Sequence, residues 1–301
     1  MEALQTLVPM ALTMSLAGLV VAAGLDATWY DLLYLFRRPL QLAKAVLAVN
    51  VIVPAAAVLL VFVFPLSPVA RAAVLLMAVS PVPPLAPGKL LKVGAAKCYA
   101  YGLYLALALL SVLIVPLAVQ ILAGVYGVDV SMPAGLVARN VALSVLLPMG
   151  VGLLVRKAAP KVAQAVIPAI KAVATALLLL ALGVLIVGAW PALTRLVGNG
   201  TLLAMALTLA IALAGGHLLG GPELRERGAL AITAATRHPG IALMIANHNN
   251  ADPRVSAAII GMLLVGMVVA APYQSWLKRR AEQAEPVALR AVWTPPHPSD
   301  R

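Results

Sequence analysis

Nine stretches of this chain are long and apolar enough to cross a lipid bilayer, and this feature limits its fold more than any other. A membrane-spanning helix needs about 20 mostly apolar residues. Of the 301 residues, 63% are hydrophobic and 11% are charged, whereas a soluble domain has about half and about a quarter. We therefore predict an all-α polytopic membrane protein with nine transmembrane helices. Seven stretches are unbroken, at residues 6–24, 40–64, 98–123, 140–155, 165–190, 201–219 and 255–276.

The other two stretches, 68–91 and 226–248, are interrupted by helix-breaking residues. The first contains SPVPPLAPG from Ser80 to Gly88, and the second contains TRHPG from Thr236 to Gly240. Proline has no N–H and clashes with the carbonyl four residues earlier, so the first stretch cannot be one continuous helix. Unpaired backbone groups are costly in hydrocarbon, so we expect both breaks beside protein or a water-filled cavity. A kink or an ordinary loop between helices is the alternative interpretation.

The basic residues predict the orientation in the membrane. With nine spans, alternate loops lie on the same side of the membrane. Of the 22 Lys and Arg residues, 17 then fall on one side and four on the other, and Arg237 lies inside a span. Because cytoplasmic loops are rich in Lys and Arg, we expect a multi-pass plasma (inner) membrane protein with its N-terminus outside and its C-terminus in the cytoplasm. The polar, Pro-rich segment 281–301 is predicted to be a disordered cytoplasmic tail.

A weak internal repeat relates the two broken stretches. RAAVLLMAVSPVP, from Arg71 to Pro83, aligns without a gap to RGALAITAATRHP, from Arg227 to Pro239. Because one connector helix lies between the two units, the second unit enters the membrane from the opposite side, which is an inverted repeat. Breaks at matching positions of two halves are typical of the binding site of a secondary transporter. The predicted transmembrane domain is 1–280, with a first repeat at about 5–124, a connector helix at about 139–157 and a second repeat at about 165–279.

Arg237 and His238 are the most informative residues of the second break. An arginine inside a membrane span costs at least ~2.5 kcal/mol, and such residues usually face the bundle interior and mark a ligand or a pathway. The functional interpretation of Arg237 is a fixed positive charge for an anionic substrate. The structural one is an arginine that binds carbonyls at the break and holds it together. His238 either couples protons or is a neutral, hydrogen-bonded side chain.

The remaining candidates are small, hydroxyl-bearing or helix-breaking residues around the two breaks. Thr233, Thr236 and Ser80 either bond carbonyls of their own helices or face a cavity. Tyr99, Tyr101 and Tyr104 are predicted to be anchors at the membrane interface. The complete candidate set for substrate or ion binding is Arg237, His238, Thr233, Thr236, Ser80, Pro83, Pro84, Pro87, Gly88, Pro239 and Gly240.

Several classes of function lack the residues they need. The sequence has no nucleotide-binding loop, no zinc-protease motif and no serine-hydrolase motif. No Asp or Glu lies inside an unbroken stretch, Cys98 is the single cysteine, and the histidines lack metal-ligand spacing. We expect no enzyme activity, no metal site, no cofactor and no nucleic-acid partner. The net charge of +12 is assigned to loops that face an anionic lipid surface.

Over about residues 5 to 280, the chain resembles the bile acid:sodium symporter superfamily. The resemblance rests on the nine-span layout, the breaks in spans 3 and 8, and the pattern RGALAITAATRHPGIALMIA from Arg227 to Ala246. In that family, the corresponding pattern carries a Glu, then four residues later a Gln followed by an Asn. These positions are similar to Thr233, Arg237 and His238 here.

The resemblance implies a panel domain and a core domain, with the two broken helices crossing in the core. It implies transport of organic anions such as bile acids, sulfated steroids or small carboxylates, usually with sodium. The substrate would sit between the two domains, which shift relative to each other to give alternating access.

Departures from the family pattern argue against sodium coupling. Thr233 offers a hydroxyl but no charge, and Arg237 offers no oxygen. The family's first break usually contains an Asn as well, and the first break of this chain has none. We hypothesise that Arg237 replaces a bound sodium as a permanent counter-charge. Uniport, exchange and proton coupling through His238 then stay open.

Two classes of function compete. The first is a secondary active or facilitative transporter of small organic anions. The second is a non-transporting membrane sensor or scaffold derived from a transporter fold, motivated by the missing ion ligands. The expected partners are an organic anion and the lipid bilayer, and the sequence leaves the substrate, the direction of transport and the oligomeric state open.

Overall fold

Twelve helices make up the part of the chain that the structure describes. The structure, a computed structural model, describes residues 2–194, 198 and 200–292, and it has no strand among them. The helices are α1 (Glu2–Asp26), α2 (Trp29–Leu33), α3 (Pro39–Val63), α4 (Pro68–Val79), α5 (Ala86–Lys92), α6 (Lys97–Tyr126), α7 (Ala134–Ala158), α8 (Pro160–Thr194), α9 (Thr201–Leu219), α10 (Leu224–Ala235), α11 (Pro239–His248) and α12 (Arg254–Val292).

Eight helical stretches in the described part of the chain are long and apolar enough to cross a membrane. They include α10 and α11 taken together, as Leu224–His248. The expectation of an all-helical polytopic membrane protein is therefore confirmed. The remaining predicted span, 68–91, consists of α4 with 12 residues and α5 with seven, separated by Ser80–Leu85.

Local sequence explains where the broken helices end. Ser80 takes an extended conformation at the end of α4, and the residues that follow it are rich in proline. Proline disfavours helical geometry in the residue before it, so the chain stays non-helical until Ala86. In the second break, Thr236 ends α10 in an extended conformation and Pro239 opens α11. Proline suits this first helical position, where its missing N–H would have no partner.

The two broken segments cross each other. The first half of one packs against the second half of the other, so α4 contacts α11 and α5 contacts α10. At the centre, the backbone N–H of His238 donates a 2.9 Å hydrogen bond to the carbonyl of Pro81. This bond joins the non-helical residues of the two breaks directly.

Three helices form a layer of their own, which we call the three-helix layer: α1, α7 and α8. Helix α1 packs along both of the others. The backbones of α1 and α7 approach closely at Gly24 and Gly152. A methyl group on Gly152 would clash with the carbonyl of Val21, and one on Gly24 would clash with the carbonyl of Met149. Small residues at such contacts are a usual feature of helix packing in membranes.

The last helix differs from the predicted tail. We expected disorder from residue 281, but α12 continues to Val292. The segment AEQAEPVALRAV at 281–292 contains Pro286, but most of its other residues are Ala, Glu, Gln, Leu and Arg, which are strong helix formers. The rest of the predicted tail, 293–301, lies outside the described residues.

The close contact between α1 and α7 can be tested with two neighbouring glycines. We expect Gly152→Ala to destabilise the protein by about 1–3 kcal/mol, because the new methyl group must push the α1 backbone away. Gly150→Ala is the matched control, since nothing lies within 4 Å of the methyl group that it would add. Thermal unfolding of the purified variants measures both effects, and equal melting temperatures would contradict the packing described.

Candidate functional site

Arg237 lies at the centre of the crossing. Its side chain is only 2% exposed. One guanidinium nitrogen, Nη1, donates a 3.0 Å hydrogen bond to the carbonyl of Ser80, and Nη2 donates to the carbonyl of Val49 in α3. Arg237 therefore connects the second break to the first break and to a third segment of the chain.

Irregular helix geometry explains why these two carbonyls need a donor. Leu47–Ile52 in α3 is π-helical, and in that pattern each carbonyl accepts from the N–H five residues later. For Val49 that residue is Pro54, which has no N–H. Ser80 directly follows the last residue of α4, where carbonyls lack partners within the helix and carry the negative end of the helix dipole.

Carbonyl dipoles, and not a carboxylate, balance the charge of Arg237. In the part of the chain that the structure describes, the carboxylates that form ion pairs are Asp26 and Asp252, and neither pairs with Arg237. Helix α4 ends at the crossing, and the Ser80 carbonyl at its negative end accepts from the guanidinium. Carbonyl binding at the break is compatible with the structural interpretation of Arg237, and its role as a charge for an anionic substrate stays a prediction.

The space beside Arg237 is small. Its Nε is buried and has no hydrogen-bond partner among the described residues. A void of about 20 Å³ lies next to it, lined by Arg237, Thr236, Lys89 and apolar residues of α4, α9, α10 and α12. Since a water needs roughly 10–15 Å³ of such volume, the void has room for about one water and not for an organic anion.

His238 caps the second half-helix. Its ring nitrogen Nδ1 accepts a 3.1 Å hydrogen bond from the N–H of Gly240, in the first turn of α11. An accepting nitrogen carries no proton, so the cap requires that Nδ1 stay unprotonated. The side chain is half-buried. A Cβ on Gly240 would lie 2.8 Å from Cε1 of the His238 ring, so glycine at 240 leaves room for this cap.

The three candidate hydroxyls all donate to carbonyls of their own helices. Thr233 bonds the carbonyl of Ala229 at 2.8 Å, and Thr236 bonds that of Ile232 at 2.7 Å. The Ser80 hydroxyl donates to the carbonyl of Leu76, four residues earlier in α4, at 2.7 Å. Ser80 and Thr236 occupy equivalent positions in the aligned repeat, and each hydroxyl bonds a carbonyl in the last turn before its break.

The proline and glycine candidates divide by exposure. In the first break and the start of α5, Pro83, Pro84 and Pro87 are buried, whereas Gly88 is exposed with open space around it. In the second, Pro239 is half-buried and Gly240 is exposed. The prolines thus shape the buried centre of the crossing, and the glycines lie at its accessible edges.

The sequence did not reveal a second polar cluster, at the end of α1. The Asp26 carboxylate accepts hydrogen bonds from Lys97 at 2.6 Å and from the hydroxyl of Tyr101 at 2.7 Å, both on α6, and Lys171 of α8 lies 3.9 Å away. Arg156 of α7 donates to backbone carbonyls at the end of α1. The cluster links the three-helix layer to α6.

Two expectations about this region were wrong. We predicted interfacial anchors at Tyr99, Tyr101 and Tyr104, but all three side chains are buried. The predicted first span ended at residue 24, whereas α1 continues to Asp26 and places that carboxylate in contact with α6 and α8. The available signal was the position of a single acid directly after an apolar stretch, in a chain with few acids.

Comparison with known proteins identifies the family. The sequence profile of the sodium bile acid symporter family matches residues 13–196, which is more than half of the chain. The chain belongs to the sodium bile acid symporter family. A search of curated proteins gave no match.

The family match includes one break and not the other. Residues 13–196 contain α4, α5 and the first break, whereas Arg237 and the second break lie beyond the match. Sodium bile acid symporter family members are transporters rather than enzymes. The family assignment therefore gives a transporter of the bile acid or organic anion type, and the Arg237 site has to be argued from its own geometry.

Arg237 should contribute strongly to stability. Arg237→Gln removes the guanidinium that donates to the carbonyls of Val49 and Ser80. We expect the variant to be destabilised by about 2 kcal/mol or more, because these buried carbonyls lose their donors. Arg237→Lys should be intermediate, since it keeps the charge but not the planar fork. Arg139→Gln, at an exposed arginine, is the control. Thermal unfolding measures all three variants, and an unchanged Arg237→Gln would contradict the role assigned to the fork.

The Asp26 cluster should couple α1 to α6 energetically. A double-mutant cycle of Asp26→Asn and Lys97→Met should give a coupling energy of about 0.5–1 kcal/mol, since Asp26 is largely buried but Lys97 is not. The exposed pair of Asp252 and Arg254 lies two residues apart and should not change global stability. If the first cycle gives no coupling, Asp26 does not join the two helices.

Proposed function

We propose that this protein is a secondary transporter of small organic anions that works by alternating access without sodium. The observation that carries the proposal is the buried guanidinium of Arg237, which holds the two breaks and α3 together through carbonyl groups. At this crossing the family resemblance implies a cation site, and Arg237 supplies a cation that belongs to the chain.

Electrostatics support sodium independence. Two unit positive charges 4 Å apart repel by roughly 4 kcal/mol at an effective dielectric constant of 20. Sodium also requires several oxygen ligands, and Arg237 already donates to two carbonyl oxygens at the crossing, those of Ser80 and Val49. The residues at the crossing therefore do not fit a sodium ion.

The same geometry favours uniport or exchange over proton coupling. Protonation of His238 at Nδ1 would break its hydrogen bond with Gly240 and remove the cap of α11. A coupling proton at that nitrogen would thus disturb the half-helix at every cycle. We propose that His238 stays neutral and holds the start of α11.

We assign the three-helix layer to the panel domain and the other helices, apart from the short α2, to the core. The close contact of Gly24 with α7 supports the panel as one unit, because it locks two of its helices together. The Asp26 cluster lies where panel and core meet, through Lys97 and Tyr101 of α6. We propose that this contact is broken and remade as the two domains move.

We further propose nine spans, with α4 and α5 forming the third, and a plasma (inner) membrane location. Reciprocal contacts of α4 with α11 and of α5 with α10 support the inverted repeat.

The orientation, with the N-terminus outside, has separate support. Lys97, Arg156 and Lys171, which the charge distribution assigns to the cytoplasm, all surround the end of α1.

A non-transporting sensor or scaffold is the second candidate function. The void beside Arg237 has room for about one water, and this favours a crossing that binds no ligand of its own. A protein that has lost ion binding there can keep the family fold without moving a substrate. Flux separates the two functions, because a sensor binds its ligand and does not carry it across.

The test is uptake by reconstituted liposomes. We expect the protein to carry at least one of three labelled anions, taurocholate, estrone sulfate or pyruvate, at rates that change less than twofold when choline replaces sodium. Arg237→Gln, in preparations that remain folded, should lose most of this uptake. Sodium-stimulated uptake would contradict the proposal. Binding of an anion, seen as a raised melting temperature, with no uptake would favour the sensor.

A further inference from the structure

A second cavity, formed by residues that the structure describes, lies away from the crossing. It has a volume of about 410 Å³ and is formed by α4, α6, α11 and the connections that follow α6 and α11. None of its lining residues belongs to the three-helix layer or to either break. Its volume falls within the ~300–1,000 Å³ that is usual for small-molecule sites.

Apolar side chains form most of the cavity wall. Leu75, Leu76, Val119, Leu122 and Ile245 lie along it. A wall of this kind binds an aliphatic or ring-shaped body through the hydrophobic effect. The polar groups are few and lie together near the ends of α4, α6 and α11.

Arg71 is the cation of this cavity. Its side chain is exposed, and within the described residues it forms neither an ion pair nor a hydrogen bond. Its partner in the repeat, Arg227, is used differently, since Nε of Arg227 donates to the carbonyl of Gly221. Arg71 is thus free to bind an anionic group.

Tyr126 lies beside the same end of the cavity. Its ring stacks on Phe62, with ring centres 5.6 Å apart. Its hydroxyl oxygen is buried and has no partner among the described residues. A further, neighbouring cavity is lined by Val61–Pro65. Arg71 and Tyr126 line both cavities, so they lie at the boundary between them. A guanidinium and a free hydroxyl are two donors that suit one acidic head group.

Asn249 fixes the shape of the opening. Its side-chain oxygen accepts from the N–H of Ser131 at 2.9 Å, and its amide nitrogen donates to the carbonyls of Ser131 and Ile245 at 2.8 Å. These bonds tie the connection after α6 to the end of α11. The wall is therefore held in place without a ligand, which lowers the entropic cost of binding.

We infer that this cavity is a binding site for a free organic monoanion with an apolar body. The acidic group binds Arg71 and the hydroxyl of Tyr126, and the apolar body lies between α4, α6 and α11. The site is separate from the Arg237 crossing and from the boundary between panel and core. It requires only binding, so it does not depend on the proposed transport function.

The test compares two ligands of the same shape and different charge. Naphthalene-2-sulfonate carries a fixed negative charge, and naphthalene-2-sulfonamide is its neutral counterpart. Each ligand is titrated into the full chain in phosphatidylcholine nanodiscs, and isothermal titration calorimetry measures the dissociation constant. We expect saturable binding of the sulfonate that is at least tenfold tighter than that of the sulfonamide.

Three variants locate the ligand. Arg71→Gln should weaken sulfonate binding about tenfold and leave sulfonamide binding unchanged. Arg139→Gln removes another exposed arginine that does not line the cavity, and it should bind both ligands as the wild type does. Ala123→Phe places a ring in the cavity and should weaken both. Melting temperatures without ligand show that each variant is folded.

Several outcomes would overturn the inference. They are an absence of saturable sulfonate binding by the wild type, equal binding by Arg71→Gln, and unchanged binding by a folded Ala123→Phe. A further experiment repeats the wild-type titration with the sulfonate in nanodiscs that contain phosphatidylglycerol, an anionic lipid. Sulfonate binding should persist there, and its loss would show that an anionic lipid, and not a free anion, occupies the cavity.

Discussion

The structure depends on the pairing of backbone groups that the two breaks expose inside a hydrocarbon environment. Each helix end leaves carbonyl or N–H groups without partners, and water cannot satisfy them in a bilayer. One bond between the breaks, from His238 to Pro81, satisfies a donor and an acceptor at once. Arg237 then takes two further carbonyls, one of which is free because Pro54 removes its expected donor. The proline that disturbs α3 and the arginine that replaces its N–H lie 183 positions apart in the sequence.

Much of the architecture follows from local sequence, but the partners of the polar groups do not. Hydropathy and proline positions predicted the all-helical membrane fold and the placement of both breaks, because these depend on neighbouring residues. The acceptor role of Val49 could not be predicted, since it depends on a π-helical stretch within an apolar sequence. Asp26 was missed for a similar reason. Its contacts with Lys97 and Tyr101 of α6 form only when α1 packs beside that helix, so the tyrosine that we assigned to the membrane interface is buried.

A tethered cation and a bound ion have different consequences for transport. A sodium ion that enters and leaves with the substrate links transport to its gradient, whereas an arginine side chain cannot leave. In the transport cycle that we propose, Arg237 provides the stabilising charge at the crossing without the entropic cost of capturing an ion. In that cycle, no ion gradient is used at this position. On this proposal, the crossing suits a carrier that equilibrates or exchanges its substrate, so the departures from the family's sodium-ligand pattern do not by themselves imply loss of transport.

The basic side chains at the two ends of the molecule differ in whether they have partners. At the end of α1, Asp26 neutralises part of the basic cluster, and Arg156 is held by backbone carbonyls. At the opposite end, Arg71 has no ion pair within the described residues and lies at the edge of an apolar cavity. An unpaired cation beside a low-dielectric wall raises the local concentration of anions, and the wall then selects those with an apolar body. Among the described residues at this end, Arg71 lines the apolar cavity, and this is the basis of the binding site that we infer.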